Sequence, residues 1–327
     1  MALQARPWRP VTEHLGRATH PCMPHDALNR RLRYVDPQPG MRRLMLTDAD
    51  YLLFQAIDRH GPLPTHYLHE LTRHERGNLA NLKFRLTHFY NGDAHGPYLT
   101  RPQQQFASFH ARYQHLVYDL APRAKIALAE RGTLIRQKEG RAAPFVHQLM
   151  QACVGASFEI AARALDLRYI SRGEILARAG VQLALPLPGN RALIPDDLFG
   201  LEYPGSGYRF FVVEIDRNTE SIERSISGQT SFGRKIAAYL QVLRTRAYRA
   251  HWGMPNLTVL TVTTNRTHAA NIIDYIRAQD AGPFGERFLF QAEPSFGANW
   301  RVPSEPLSGV LADEWLTIGG VRQIDVP

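Results

Sequence analysis

The chain has 327 residues, 44% of them hydrophobic and 10% aromatic, a globular composition with length enough for two cores. It holds no apolar run of the roughly 18 residues a membrane span needs, its opening MALQARPWRPVTEHLGR lacks a signal peptide's apolar centre, and two distant cysteines, Cys22 and Cys153, exclude a disulfide framework, so a cytoplasmic protein is expected. The net charge of +9 is uneven: residues 1–140 carry 20 Lys/Arg against 12 Asp/Glu, whereas residues 141–327 carry 19 against 18, which points to a polyanion-binding N-terminal part.

Residues 1–44 are rich in Pro, Arg and His without periodicity and read as a basic arm. His14, His20, Cys22 and His25 could ligate zinc, but their spacing fits no common zinc module, so zinc is not expected. From Thr47, an N-cap followed by Asp48 and Asp50, a helix places Leu52, Leu53, Ala56 and Ile57 on one face and stops at Gly61. A short helix, HYLHELTR, follows Pro64-Thr65. The segment NLANLKFRLTHFYNGD repeats Leu79, Leu82, Leu86 and Phe89 at helical spacing and sets Asn78, Asn81, Arg85 and His88 on the opposite face.

The segments GPYLTRP and HARYQHLVYDLAP then read as two strands after the turn signals Asn91-Gly92 and Gly96-Pro97, and PRAKIALAERG as a closing helix. Three helices and a hairpin are the order of a winged helix-turn-helix, assigned to residues 45–132. Its third helix would enter the major groove of double-stranded DNA. Arg73, Arg76, Asn78, Asn81, Lys83, Arg85 and Arg101 are the candidate DNA contacts, because Asn, Arg and Lys read base edges and phosphates.

Residues 133–144 are polar and Gly/Pro-punctuated and read as a linker. Residues 145–327 read as an α-β-β-β-α-β unit. It comprises a helix over Phe145–Leu165, a strand pair Ala192–Phe199 and Tyr208–Ile215, a helix near Gln229–Arg249, a buried strand Leu257–Thr263 and a helix over Asn271–Gln279. RFLFQAE reads as a further short strand.

The chemistry gathers at IPDD and FFVVEID. Asp196 follows Pro195, and Glu214 and Asp216 close an apolar run, so the ends of adjacent strands carry carboxylates that are costly to bury without partners. Such a pair suits Mg²⁺ or Mn²⁺, with Asp196 and Glu214 as ligands and open positions left for phosphate and water. Lys235 and Tyr239 lie four apart on the following helix, where Lys235 can meet the carboxylates and steady phosphate charge. Set against this, Asp196 could cap a turn, Asp197 could be solvated, Asp216 could pair with Arg217, and Glu220 could belong to the next turn.

This order of elements resembles the PD-(D/E)XK nuclease-like fold. More narrowly, IPDDLF, FFVVEIDRNTE, GRKIAAYLQ and LTVLTVTTN, together with FVHQLMQACVGASFEIAARAL and LVYDLAPRAKIAL, resemble the plasmid replication-relaxation family over roughly residues 47–302. The resemblance implies a winged-helix N-terminus, a nuclease-like second domain and a place among plasmid replication or mobilisation proteins. It implies Asp196 as the aspartate of the PD motif and Glu214 as the acid of the (D/E)-x-K strand. Asp216 stands where that motif has lysine, which leaves Lys235 to replace it or the site without one. Glu159 is the candidate for the glutamate of the preceding helix, with Glu174 as the alternative.

Three functions are carried forward. The first is a metal-dependent DNA endonuclease or nickase. The second is a non-catalytic accessory factor that works with a relaxase or replication protein, and the third is a winged-helix transcriptional regulator. A homodimer is compatible with any of them.

Overall fold

The computed structural model describes residues 34–107, 114–133, 135–136, 143–205, 207–217, 232–307 and 309–324. The arm residues His14, His20, Cys22 and His25, most of the linker, Glu220 and the expected helix start at 229–231 lie outside the described residues. The chain is mixed α/β, with one large mixed sheet.

In the N-terminal part, α1 (Asp48–His60) begins with a capping box between Thr47 and Asp50, and Gly61 ends it at a φ of 105°. A short strand β1 (Leu63–Pro64) leads into α2 (Thr65–Thr72). Helix α3 (Leu79–Asn91) is capped by the Asn78 side chain, which accepts from the N–H groups of Ala80 and Asn81. Strands β2 (Leu99–Thr100) and β3 (Val117–Leu120) pair antiparallel, and β1 adds on the other side of β3. Helix α4 (Pro122–Glu130) closes this part, with Pro122 in its first turn.

Helix α5 (Phe145–Ala164) is apolar nearly all round, as a helix buried on most sides must be. It packs on α1 and α2 at one side and on the large sheet at the other. After it come β4 (Arg168–Ile170), α6 (Arg172–Ala179), a hairpin of β5 (Leu185–Leu187) and β6 (Arg191–Leu193), then β7 (Asp197–Tyr203) and β8 (Gly207–Asp216). Helices α7 (Phe232–Thr245) and α8 (Ala247–Trp252), strand β9 (Thr258–Thr263), helix α9 (Arg266–Arg277), and strands β10 (Phe288–Ala292), β11 (Glu314–Thr317) and β12 (Gly320–Gln323) complete the chain.

The sheet order is β12-β11-β10-β9-β8-β7-β4. Strands β8, β9 and β10 run parallel to one another, and the other pairs are antiparallel. The single strand expected over Ala192–Phe199 is two. Pro195 has no N–H to give a ladder, so the chain leaves one hairpin after Leu193 and joins β8 from Asp197 onward. The helix expected to Arg249 breaks at Arg246, whose φ is 57°. Helix α9 starts before Asn271 because the Asn265 side chain accepts from the His268 N–H at 2.7 Å.

Strand alternation sorts β8 between two cores. Phe211, Val213 and Ile215 face the core that contains α5, whereas Val212 faces a second core with Ile236 and Leu240 of α7 and Ile272 of α9. The α5 core also holds Leu53, Leu86, Leu99 and Leu128, so apolar packing runs continuously from the N-terminal helices to the sheet. At its centre Phe199 packs between Phe158, Tyr169 and Phe211, with ring centroids 4.6–5.4 Å apart. Burying a side chain of this size is worth about 1.5–3 kcal/mol.

Candidate functional site

The side chains of Glu214 and Asp216 share the second-core face of β8, two residues apart and at its carboxyl end. Glu214 is 1% exposed. Lys235 donates to its Oε2 at 2.8 Å, and the Tyr239 hydroxyl donates to its Oε1. Lys235 and Tyr239 lie four residues apart on α7, the spacing that puts two side chains on one helical face. Burial pushes the Glu214 carboxyl up to about 7, against the pull of Lys235.

Asp196 sits in the crossing between β6 and β7. Its Oδ2 accepts from the Ile215 N–H at 2.8 Å, beside Glu214 in sequence, and its Oδ1 lies 3.1 Å from His147 Nε2. The Gln151 amide donates to the Asp196 carbonyl. Burial raises the Asp196 carboxyl, but the His147 bond and the Lys235 charge outweigh it and hold the group below its ordinary value. The Asp196 charge adds to the upward push on Glu214, and both carboxyls feel Lys235. One carboxyl is therefore held ionised and its neighbour is poised near neutrality, an arrangement suited to acid–base work.

Asp216 bonds His268 of α9 at 2.7 Å through its Oδ2 and is 4% exposed. The cation beside Glu214 comes instead from α7, through Lys235. Asp197 is also buried and faces the other way, towards α5 and His60. Gly155 is the point of closest approach there: a Cβ would lie 3.1 Å from His60 Nδ1 and 3.2 Å from Asp197 Oδ2.

Glu159 does not join these carboxylates. It lies on α5 about 18 Å along the axis from His147, at 1.5 Å rise per residue. There it meets Arg59 at 2.5 Å and His60 at 2.7 Å, as well as Arg163. The alternative, Glu174, is the N3 member of a capping box with Ser171 at the start of α6 and pairs with Arg168 at 2.9 Å. The row His147, Gln151, Gly155, Glu159 repeats every four residues, a signal in the sequence that these positions share one face of α5.

For a hard divalent cation the donor chemistry fits, because Asp196 and Glu214 offer oxygen and each carboxylate oxygen keeps a second lone pair. Every one of those oxygens already accepts from a protein group or faces one, and among the described residues no group of three or more His, Cys, Asp and Glu side chains converges as a ligand set.

The candidate DNA contacts divide. Asn81 and Lys83 are exposed on α3, and Arg73 is exposed beside Glu70. Asn78 spends its side-chain oxygen on the cap of α3. Arg76 and Arg85 turn inward instead of outward: both bind Asp50, which is fully buried, Arg85 at 2.7 Å. Arg101 is buried as well, its guanidinium 3.9 Å above the Tyr90 ring and bonded to the Tyr118 hydroxyl at 3.1 Å. A buried carboxylate draws arginines because an unpaired charge there costs several kcal/mol. Beside Asn81 and Lys83, α3 also exposes Phe84, which the polar pattern does not single out.

A family model described as replication-relaxation matches residues 54–257, a span that includes Asp196, Glu214 and Lys235. The chain belongs to the replication-relaxation family. No curated protein and no solved structure matches it. No helix among the described residues is long and apolar enough to cross a membrane.

Proposed function

We propose that this replication-relaxation protein binds double-stranded DNA in plasmid or mobile-element replication or transfer and cuts one strand with a PD-(D/E)XK-like centre. On this reading the N-terminal helices and small sheet form a winged helix-turn-helix, and α5-β4-β7-β8-α7-β9 is the nuclease-like core. The observation that carries it is the Lys235 ammonium 2.8 Å from the buried Glu214 carboxylate. The cation absent from the strand motif is supplied by the next helix.

Each residue then has a role. Lys235 balances the charge that develops on phosphate oxygen in the transition state. Glu214 takes the proton of the attacking water as its oxygen bonds phosphorus and the sugar oxygen leaves. Asp196 stays ionised, and His147 and the Ile215 N–H fix its orientation. Mg²⁺ or Mn²⁺ held by Asp196 and Glu214 would supply Lewis-acid polarisation of the phosphate.

One observation favours a second reading, a non-catalytic accessory factor that partners a relaxase or replication protein. The carboxylate oxygens are satisfied by protein donors, as in a site that has become structural. Supercoiled plasmid incubated with Mg²⁺ or Mn²⁺ separates the two. Nicking by the wild type and not by an Asp196→Ala/Glu214→Ala variant is the enzyme's signature. Retained duplex binding without nicking sinks the enzyme in favour of the accessory factor, and tight binding to one short operator without metal dependence points to a regulator.

A further inference from the structure

Segment 37–47 runs beside α3. The Gln38 N–H faces the Asn91 side-chain oxygen at 3.3 Å, the Gly40 N–H donates to the Gly92 carbonyl at 3.0 Å, and Arg85 donates to the Met45 carbonyl. Neither this segment, PQPGMRRLMLT, nor α3, LANLKFRLTHFYN, contains an acidic residue, whereas Arg42, Arg43 and Lys83 are exposed. Amid these cations three large apolar side chains face solvent: Phe84 is 42% exposed, Met45 is 74% exposed and Met41 is fully exposed. Phe84 sits edge-on to His88 with centroids 4.1 Å apart, which stiffens an aromatic on the outer line of the helix. Arg85, the obvious base reader, is held on Asp50.

The exposed charges within this segment and α3 are cations, with Asp36 and Asp48 exposed only at the segment's two ends and Asp48 paired with Arg131; such a surface favours a polyanion, and a convex helix of this length fits the major groove of a duplex. An outward aromatic cannot hydrogen-bond a base edge. The groove feature it can contact is the thymine methyl group. We propose that α3 meets duplex DNA through Phe84, packed on thymine methyls, while Lys83, Arg42 and Arg43 hold the phosphates. This rests on the DNA-binding reading above and adds what that surface reads: the apolar edge of A·T pairs.

The full chain is titrated by fluorescence anisotropy against a short duplex of alternating A·T pairs, the same duplex with uracil in place of thymine, and an alternating G·C duplex. The wild type binds the thymine duplex more tightly than the uracil duplex by about fourfold for each methyl buried, the worth of one CH₂ group. Phe84→Ala removes that preference and leaves the salt slope unchanged, and a melting curve of the variant shows that it is folded at the assay temperature. Lys83→Ala weakens binding to all three duplexes and lowers the salt slope by about one. Equal wild-type affinity for the thymine and uracil duplexes, or a thymine preference that survives Phe84→Ala, overturns the inference and leaves DNA binding standing. No binding to any of the three removes the DNA-binding reading and the inference with it.

Discussion

Lys235 Nζ lies 2.8 Å from Glu214 Oε2 and joins the first turn of α7 to the end of β8. The lysine side chain is 26% exposed and the carboxylate 1%. Lys235→Met leaves the carboxyl without its cation, so that the group must take up a proton to stay buried. The cost is about 1–3 kcal/mol near pH 8, below the usual range for a broken buried pair because lysine can reach solvent and Tyr239 still donates. Near pH 5 the carboxyl is already protonated, and the cost falls below about 1 kcal/mol. Lys235→Arg restores most of the loss. Urea unfolding at both pH values measures this, and an equal loss at both would deny the charge coupling.

Glu214 itself makes the fold sensitive to alkali. Its folded carboxyl titrates at about 7, above the 4.5 of the free group, so the folded chain keeps a proton that the unfolded chain releases. The stability it contributes is complete below about pH 4.5 and is lost as pH rises to about 7. Glu214→Gln removes that loss. Relative to the wild type it gains about 3 kcal/mol between the acid and alkaline ends of this window, at 1.36 kcal/mol per pKa unit. Thermal melts of the two proteins across pH read the difference directly; parallel curves would place the Glu214 pKa near its ordinary value.

Much of this was visible in the residues. Thr47 before two aspartates marks a helix start, the spacing of Leu82, Leu86 and Phe89 marks the buried face of α3, and Lys235 and Tyr239 four apart share a face of α7. Strand ends that pair apolar runs with acids announced Asp196 and Glu214. What was hidden depends on contacts distant in sequence. Asp50 and Arg85 are 35 residues apart, and nothing local distinguishes an arginine that turns in to a buried acid from one that faces DNA. Likewise Glu159 sits on a helix apolar on nearly every side, so its spacing could not say whether it faced the sheet or α1. The split at Pro195 was legible in principle, since proline interrupts a ladder.

Arg85→Ala therefore acts on stability and not on DNA affinity. The substitution removes one of the two arginines that neutralise Asp50, and Arg76 stays in place. A loss of about 2 kcal/mol in folding stability is expected. The salt slope of duplex binding does not change, because a guanidinium bound to a protein carboxylate releases no counterions from DNA. Anisotropy titrations across salt, beside chemical denaturation, separate the two effects; a slope lowered by about one would return Arg85 to the DNA surface.

Glu159 links α1 to α5. Burial alone would raise its carboxyl, but the hydrogen bond from His60 and the charges of Arg59 and Arg163 outweigh it and hold the group well below the usual carboxylate range. Burial also lowers the His60 pKa, so at neutral pH the imidazole is uncharged and donates a hydrogen bond to Glu159. A depressed carboxyl stabilises the fold above about pH 4.5, where the unfolded group is ionised, and that stabilisation drains as pH falls below it. Glu159→Gln keeps the shape and removes the charge. It costs about 3 kcal/mol near neutral pH, because two arginines lose their buried partner. In acid the variant and the wild type converge. Amide hydrogen exchange adds a spatial readout, with α1 and the start of α2 losing protection together while β8 and β9 keep theirs. Loss of protection across the sheet as well would mean that Glu159 supports the whole core and not the α1–α5 joint.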